Sequence, residues 1–453
     1  MPPAPRPNIL LLHSHDCGRA IQPYGWPVAT PHLLRFAREG VLFRHAHCAA
    51  PTCGPSRAAM LTGVYPHQCG MFGLPGRDGW QLRDPSRHLV HVLNAAGYLT
   101  ALAGVQHEVN HADLSPLKYQ RLLDTRAQKG EHYPETLDRV EEFLHERATA
   151  ADGRPFFLSL GLDEPHRNNL ARPEIGVGAE SARFSKTRYY DPEKLDWRHT
   201  APPPWLPDLP ELRRDTEALH EGVRILDDYV GRVLAMLRHR GLEENTLVVL
   251  TTDHGIEFTG GKKTLREQGT GVFLMLRGPG PFAGGKVVEH LVSHLDVYPT
   301  ILAAIGHPRL PWLEGHDLAP LAADPAGPAL RDAIFTEQTY HGSLEALRAV
   351  RTARHKLVLR ADPVGYRMRH DGPTAPLMEK LGAYDQPTGH EELFDLWLDP
   401  MEACNRAADP AYAAIKAGLR ARLDAWMRDT GDCFPSGNFP PIPRLAPDAG
   451  GAA

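Results

Sequence analysis

The chain has 453 residues, with 50 lysines and arginines against 55 aspartates and glutamates, so its formal net charge is −5. Its 42% hydrophobic and 23% charged residues are typical of a soluble globular protein and exclude disorder as the main state. The mildly acidic balance argues against nucleic acid or an anionic membrane as the partner, because both require a cationic excess.

Short apolar runs alternate along the chain with longer segments of helical periodicity. The predicted strands are Asn8–His13, Val41–His45, Tyr98–Ala103, Pro155–Gly161, Thr246–Thr252 and Val272–Leu276. The predicted helices are Pro31–Glu39 and residues 87–96, 134–148 and 215–240. Apolar strands separated by helices are typical of buried parallel strands joined by crossovers. The pattern therefore predicts an α/β domain over residues 1–328, with a large, mostly parallel sheet sandwiched by helices.

The pattern changes after about residue 330. Short strands are predicted at Ala333–Glu337, Ala346–Arg351 and His355–Leu359, followed by a helix near 410–428. We therefore expect a smaller antiparallel α+β subdomain over 329–453, ending in a tail rich in Pro, Gly and Ala. Residues 167–210 lack periodicity, which predicts a long excursion of the kind that forms lids or substrate walls.

Targeting signals are absent from the sequence pattern. No stretch approaches the ~20 apolar residues that a bilayer requires. The apolar run Ile9–Leu12 is shorter than the roughly 7–15 residues of a signal-peptide core. The six scattered cysteines do not suggest a disulfide framework. We therefore expect a cytoplasmic protein without membrane contact, although an exported mature form would show the same features. The oligomeric state is left open.

The ends of four predicted strands carry similar chemistry. Ligands of open α/β sheets bind at the carboxyl ends of the strands, and histidine is both the commonest transition-metal ligand and the usual proton carrier near neutral pH. In chain order the four ends carry His15 with Asp16, His107 with Glu108, Asp163 with His166, and Asp253 with His254. A single such residue is usually a loop or cap residue. Four together predict a shared site.

A further candidate is the stretch Cys53–Gly63, which reads Cys-Gly-Pro-Ser-Arg-Ala-Ala-Met-Leu-Thr-Gly. Cys53 is predicted to lie just ahead of a short helix that begins near Ser56, with Arg57 on its first turn facing back. A helix N-terminus and a guanidinium both lower the pKa of a thiol and stabilise an anion. Taken alone, these residues favour a buried structural cysteine, which is the usual fate of a free cysteine.

The whole stretch resembles the signature of the sulfatase family, Cys-x-Pro-x-Arg followed by Leu-Thr-Gly, whose cysteine is oxidised to formylglycine. The resemblance covers nearly the whole chain and includes Arg6–Ile9, Thr30–Leu33 and Glu392–Leu396 with Asp399, Pro400 and Glu402. Residues Pro66–Met71 and Pro165–Arg167 are most similar to the sulfamidase, or heparan N-sulfatase, branch. The resemblance implies an alkaline-phosphatase-like fold and hydrolysis of a sulfate ester or sulfamate, on a sugar or a small aryl group.

The same resemblance implies a mechanism and its partners. A formylglycine-generating enzyme would convert Cys53 to an aldehyde, whose hydrate is held on one divalent metal. One hydroxyl attacks sulfur, and the other later expels sulfate. The implied metal ligands are His15, Asp16, Cys53, Asp253 and His254. The implied catalytic residues are Cys53, Arg57 holding the hydrate, His107 as base, and His166 and Lys262 on the sulfuryl oxygens and leaving group. For Lys262 the alternative is a solvated loop lysine. The expected substrate is a small-molecule or oligosaccharide sulfate.

Three positions depart from the family pattern. His15 stands beside Asp16 where the family has paired aspartates, and Asp253-His254 replaces an Asp-Asn pair, as in phosphonate monoester hydrolases of the superfamily. Val105 occupies the lysine position of the Gly-Lys-x-His motif, so Gln106 or a side chain from elsewhere would have to compensate. The resemblance implies calcium, whereas two imidazole ligands would favour manganese, zinc or iron. Alternatively, His15 hydrogen-bonds Asp16 without touching the metal.

Two other functions stay open at this point. The first is a phosphonate monoester or phosphodiester hydrolase with the same modified cysteine, which the two imidazoles and the missing lysine favour. The second is a relic that binds anionic glycans without turnover. Val105 supports the relic, whereas the complete Cys53–Gly63 signature argues against it, because an unused nucleophile has no structural reason to keep its motif.

Overall fold

A large sheet forms the centre of the structure, a computed structural model that describes residues 6–124, 133–167, 196–363, 369–385 and 388–445. Its eight strands are β1 (Asn8–Ser14), β2 (Val41–His47), β3 (Leu99–Gly104), β4 (Arg121–Asp124), β5 (Phe156–Gly161), β6 (Thr246–Thr252), β7 (Leu274–Arg277) and β8 (Lys286–Ser293). Their spatial order is β4-β3-β5-β1-β6-β7-β2-β8. Among these strands only β7 runs antiparallel to its neighbours. The predicted mostly parallel α/β sheet is confirmed.

Helices cover both faces of this sheet. Those before the second sheet are α1 (Pro31–Glu39), α2 (Cys53–Thr62), α3 (Pro66–Cys69), α4 (Pro75–Asp78), α5 (Leu89–Ala95), α6 (Tyr133–Thr149), α7 (Pro210–His239), α8 (Glu267–Thr270), α9 (Val297–Ala304) and α10 (Ala319–Ala323). The central strand β1 shows that helices cover the sheet on both faces, because all seven of its residues are buried. Leu10 and Leu12 pack into one apolar core, and Ile9 and Leu11 pack into the other. A strand with alternate side chains in two cores reads as a continuous apolar run.

The C-terminal part forms a second sheet, antiparallel throughout. Its strands β9 (Ala333–Tyr340), β10 (Leu344–Thr352), β11 (His355–Arg360) and β12 (Glu391–Asp395) lie in the order β12-β11-β10-β9. The short helix α11 (Ala375–Lys380) precedes β12, and α12 (Ala413–Thr430) packs Leu423 and Trp426 against the sheet. Strand β9 is fixed to loops of the first domain, since the Glu337 N–H donates to the Ala49 carbonyl (2.9 Å) and the Tyr340 N–H to the Phe72 carbonyl (3.1 Å).

Some predicted boundaries were wrong for identifiable reasons. The strand predicted at Val272–Leu276 begins only at Leu274 in the structure. The N–H groups of Val272 and Phe273 donate to the Ala46 and Gly18 carbonyls instead of continuing the strand. Helix α7 begins at Pro210 rather than at 215, and proline at a first helical position needs no N–H partner. The centre of the predicted 167–210 excursion and the tail beyond 445 lie outside the described residues.

The six cysteines are free thiols, as predicted from their scatter. Within the described ranges, no helix combines the length and apolar character that a bilayer crossing needs. The domain boundary at 328/329 stays a prediction.

Candidate active site

Four neighbouring strands bring the predicted site residues together. In the sheet β3, β5, β1 and β6 are adjacent, and all pair in parallel, so their carboxyl ends meet at one edge. This edge carries His107 after β3, His166 after β5, His15 and Asp16 after β1, and Asp253 and His254 after β6. The expectation that four strand ends share one site is therefore met in the geometry.

Two carboxylates and two imidazoles form the centre of this edge, and all four side chains are buried. His254 Nε2 lies 3.3 Å from Asp16 Oδ1 and 3.6 Å from Asp253 Oδ2. His15 Nδ1 lies 3.0 Å from Asp253 Oδ2 and 3.6 Å from Asp16 Oδ1. The prediction that His15 pairs with Asp16 is therefore incomplete, because its nearer carboxylate is Asp253.

Hydrogen bonding fixes the orientation of His254. Its Nδ1 lies 3.0 Å from the Gly255 carbonyl, which can only accept, so Nδ1 carries the proton and Nε2 keeps its lone pair. That lone pair faces Asp16, Asp253 and Cys53. By contrast, His15 Nε2 is buried and has no hydrogen-bond partner among the described residues. Buried polar atoms without partners mark positions where a ligand completes the site.

The electrostatics of the cluster favour positive charge. Burial by itself would lower the pKa of His15 and of His254, but the Asp253 carboxylate raises both above the ordinary histidine value. Burial likewise opposes ionisation of Asp253, yet His254 and His15 hold its pKa well below its usual range. The same carboxylates would attract a metal cation, which would take the place of the Nε2 proton, and the donor set of carboxylate oxygen and imidazole nitrogen fits one.

The backbone at Asp16 is strained. Asp16 has φ of +52°, a conformation that residues with a side chain rarely adopt. Its N–H donates to Asp253 Oδ1 at 2.9 Å, and the same oxygen accepts the His254 N–H at 2.9 Å. Asp253 thus holds the ends of β1 and β6 together, and its other oxygen Oδ2 faces the cluster. Strain of this kind persists only where surrounding contacts enforce it.

Cys53 is the first residue of α2, not a residue ahead of it as predicted. Thr52 is extended, and the Ser56 N–H donates back to the Thr52 carbonyl at 2.9 Å. Pro55 does not delay the helix, because first-turn N–H groups have no partner within the helix and proline loses nothing by lacking one. The predicted first-turn position of Arg57 is consequently wrong by one turn.

The Cys53 thiol lies inside the cluster. Its Sγ is 3.3 Å from His254 Nε2, and the residue is only 3% exposed. Burial alone would raise the pKa of the thiol, but the charges of Lys262 and His254 hold it well below the ordinary value. The position at a helix N-terminus acts in the same direction. A structural cysteine in an apolar core would show the opposite shift.

Arg57 is fully buried one turn further along α2. Its Nη2 donates to Asp253 Oδ2 (3.1 Å) and to the Ser14 carbonyl (3.1 Å), and its Nη1 contacts His13 Nδ1. Burial and the charge of Arg57 keep the pKa of His13 well below the histidine value, so this imidazole is a neutral acceptor. His13 is the next-to-last residue of β1, and the sequence offered no reason to assign it a role.

The remaining predicted residues surround the same centre. His107 forms an edge-to-face contact with His15, with ring centroids 4.9 Å apart, and burial lowers its pKa to about 4. His166 makes a similar contact with His15, and its Nε2 lies 3.8 Å from Asp16 Oδ2. The Lys262 ammonium is buried and donates to Asp16 Oδ2 at 2.8 Å, so it is not a solvated loop lysine.

Sequence reasoning missed Glu257. Its carboxylate lies 2.9 Å from Lys262 Nζ and 3.0 Å from Lys263 Nζ, which positions the lysine loop. Glu257 follows His254 closely in sequence, but nothing in its spacing distinguishes it from other loop acids. Gln106 does not compensate for the missing lysine, because its amide bonds the backbone of its own loop at Glu108 and Val109.

Comparison with known proteins identifies this arrangement. A family model described as Sulfatase matches residues 7–307. The chain belongs to the sulfatase family. It is 31% identical to N-sulphoglucosamine sulphohydrolase of Homo sapiens, over 95% of this chain and 92% of that relative. The predicted membership of the sulfatases, and with it an enzyme that hydrolyses sulfuric esters, is confirmed.

Solved structures show the same sulfatase fold. One is BT4656 in complex with its substrate D-glucosamine-2-N,6-O-disulfate, which is 20% identical, with a TM-score of 0.71 over 96% of this chain and all of that one. Another is the phosphonate monoester hydrolase SpPMH from Silicibacter pomeroyi, 22% identical with a TM-score of 0.66, covering 95% of this chain and 97% of that one. At these identities the likeness concerns the fold.

Proposed function

We propose that this sulfatase hydrolyses a sulfate ester or sulfamate of an anionic sugar, using a formylglycine made from Cys53 and one divalent metal. The observation that carries the proposal is the position of the Cys53 Sγ, 3.3 Å from His254 Nε2 inside a buried cluster with Asp16 and Asp253. The human relative that acts on N-sulphoglucosamine, together with the fold neighbour that binds a glucosamine disulfate, supports a sulfated amino sugar as the substrate class.

The metal would be held by Asp16, Asp253, His254 and the modified Cys53, with His15 at the edge of the group. It would supply a Lewis acid that lowers the pKa of the nucleophile and offsets the charge of the ester. Calcium prefers an all-oxygen shell, whereas the His254 lone pair faces the cluster directly. We therefore propose a transition metal such as manganese, zinc or iron, rather than the calcium that the family resemblance implies.

Formylglycine would supply a hydrated aldehyde, with one hydroxyl to attack sulfur and a second to release sulfate. The Arg57 guanidinium would place a positive charge near the nucleophile, and three acceptors fix its buried position. His107 is neutral at physiological pH, so its ring can accept the proton when sulfate is released. This assigns the base role to His107.

Ester binding would fall to Lys262 and His166. Burial opposes the charge of Lys262, but Asp16 raises its pKa well above the ordinary lysine value, so it remains an ammonium able to bind sulfuryl oxygens. The His166 side chain is 27% exposed, unlike the fully buried His15, and therefore faces the side from which a substrate arrives. It is placed to contact the leaving-group oxygen or nitrogen.

The first experiment is peptide mass spectrometry across Cys53, on protein co-expressed with a formylglycine-generating enzyme. We expect conversion to the aldehyde and turnover of an aryl sulfate or N-sulfoglucosamine. Cys53→Ala should abolish turnover, whereas Cys404→Ala, at an exposed cysteine, should leave it unchanged. An unmodified Cys53 would remove this mechanism and leave a non-catalytic binding role.

A second experiment concerns the metal. Elemental analysis of protein purified without chelators should show manganese, zinc or iron, and His254→Asn should shift the preference toward calcium by replacing nitrogen with oxygen. Calcium alone in the unaltered protein contradicts the proposed metal but not the sulfatase activity.

A phosphonate monoester or phosphodiester is the second candidate substrate. The imidazole of His254 in the cluster and the apolar Val105, buried at 2% exposure, favour it. Parallel kinetics on an aryl sulfate, a sulfamate and a phosphodiester separate the two candidates. A phosphodiester preference of several orders of magnitude would reverse their ranking.

A further inference from the structure

The second sheet reaches the nucleophile through the end of β9. This strand ends at Tyr340, and its backbone is fixed to loops on both sides of α2 by the bonds from Glu337 to Ala49 and from Tyr340 to Phe72. His341 is the next residue and is 8% exposed. Its position is therefore set by the same contacts that attach the second sheet to the nucleophile's helix.

The lysine loop is fixed to the residues just before Cys53. The Lys263 N–H donates to the Pro51 carbonyl at 2.9 Å, two residues before Cys53. The Phe72 carbonyl, which accepts the Tyr340 N–H, is followed by Gly73, whose carbonyl oxygen would lie 3.0 Å from a Cβ on Gly54, the residue after Cys53. His341 therefore follows a strand end that lies against the nucleophile's helix. Burial first, and then the ammonium groups of Lys263 and Lys262, lower the pKa of His341 well below the ordinary value, so the imidazole is neutral.

One nitrogen of this imidazole has no hydrogen-bond partner among the described residues. His341 Nδ1 is buried, and no described residue hydrogen-bonds to it. Leaving a buried polar nitrogen unsatisfied costs about 1–3 kcal/mol, so such atoms are rare unless a ligand or water completes them. The turn that follows is also specific, because a Cβ on Gly342 would lie 1.7 Å from the Arg77 guanidinium. The Arg77 guanidinium therefore lies beside Gly342, the residue after His341.

Val105, after β3, is the position of the candidate site that lacks the polar group of the family pattern. Its side chain belongs to an apolar core, and its N–H donates to the Gly161 carbonyl at 2.9 Å. Gln106 is committed to its own loop. The end of β3 therefore offers the ester neither a cation nor an amide at the place where the family pattern has lysine. A donor for the ester has to come from another element.

We propose that His341 supplies this donor, with Nδ1–H bound to a sulfuryl oxygen of the substrate. The proposal rests on the sulfatase function proposed above. A residue at the end of β9 would then bind the substrate, so the second sheet would form part of the active site. The missing lysine is thus replaced by a neutral donor that approaches from the opposite domain.

Isosteric variants test the assignment. The amide nitrogen of asparagine reaches the position of Nδ1, whereas glutamine places its amide near Nε2 and leucine offers no donor. Removing one donor to the reacting group typically costs about 10²–10³ in rate. We expect His341→Leu and His341→Gln to lose about 10²-fold in kcat/KM on the ester, and His341→Asn to stay within about fivefold of the unaltered enzyme.

Binding of inorganic sulfate, measured by calorimetry, gives a readout that does not require turnover. The Kd should rise about tenfold in His341→Leu and little in His341→Asn. His390→Leu, at an exposed histidine just before β12, is the matched control and should change neither quantity. Thermal unfolding of each variant separates loss of fold from loss of the contact.

Equal activity and sulfate affinity in His341→Leu and the unaltered enzyme would overturn the proposal. Equal losses in the leucine and asparagine variants, with lower melting temperatures, would make His341 a structural residue and overturn it as well. If the unaltered enzyme neither cleaves the esters nor binds sulfate, the proposed function itself has failed, which is distinct from failure of His341 alone.

Discussion

His13→Leu tests whether the buried arginine of the site depends on a neutral imidazole. In the structure His13 Nδ1 accepts from Arg57 Nη1, and His13 Nε2 lies 3.2 Å from Ser159 Oγ. Leucine has a similar volume, so the variant deletes both hydrogen bonds without opening a large cavity. The guanidinium would keep only Asp253 and the Ser14 carbonyl as acceptors.

The magnitude follows from these bonds. A hydrogen bond to a charged group contributes about 1.5–3 kcal/mol, and a neutral one contributes about 1 kcal/mol. The apolar gain from a buried leucine offsets part of this loss. We expect the free energy of unfolding to fall by about 2 kcal/mol, and kcat/KM to fall about tenfold as Arg57 loses its fixed position.

Urea denaturation and steady-state kinetics measure the two effects. His13→Asn keeps an acceptor at the Nδ1 position and should recover most of both losses, while Ser159→Ala leaves the Arg57 contact in place and should cost about 1 kcal/mol. If His13→Leu is as stable as the unaltered protein, or if His13→Asn loses as much as His13→Leu, the argument for the Arg57 contact is refuted.

Two further predictions concern stability. Asp432 forms a fully buried ion pair with Arg348, so Asp432→Asn should cost about 3–5 kcal/mol of unfolding free energy. Asp424→Asn, in an exposed i,i+4 ion pair on α12, should cost about 0.5 kcal/mol. Equal shifts of the melting temperature in the two variants would contradict this contrast. Burial opposes protonation of His67, but Glu337 raises its pKa above 6.5 in the folded state. Its stabilising contribution is therefore complete below about pH 6.5 and is lost as pH rises through the folded pKa. The difference in urea midpoint between the unaltered protein and His67→Gln should shrink from pH 6 to pH 9, and a constant difference would count against it.

The sequence predicts well those parts of the fold that are decided locally. Central strands such as β1 and β6 are buried on both faces, so they read as uninterrupted apolar runs. The edge strands β4 and β8 were missed because each is partly exposed and carries polar residues among the apolar ones. The antiparallel direction of β7 was also missed, since direction depends on connections that periodicity does not record.

Some residues of the candidate site could likewise be placed from the sequence, and others could not. Residues that directly follow strands, such as Asp16 and Asp253, could be placed because parallel strand ends share one edge. His13 and Glu257 act through partners that are brought together only by the tertiary structure. His341 is further removed, because it follows a strand of the second sheet that two backbone hydrogen bonds fix to loops on either side of α2. No spacing rule in the sequence encodes such a contact.

The topology of the sheet also determines when the site can exist during synthesis. The Asp16 N–H bonds Asp253 across 237 residues, and β1 is completed on one side only when β6 is present. A ribosome-bound chain therefore cannot assemble this group of residues until more than half of the protein has emerged, and the end of β9 follows later still. Translation products that end before Asp253 should accordingly lack the proposed metal site and leave the ion in solution.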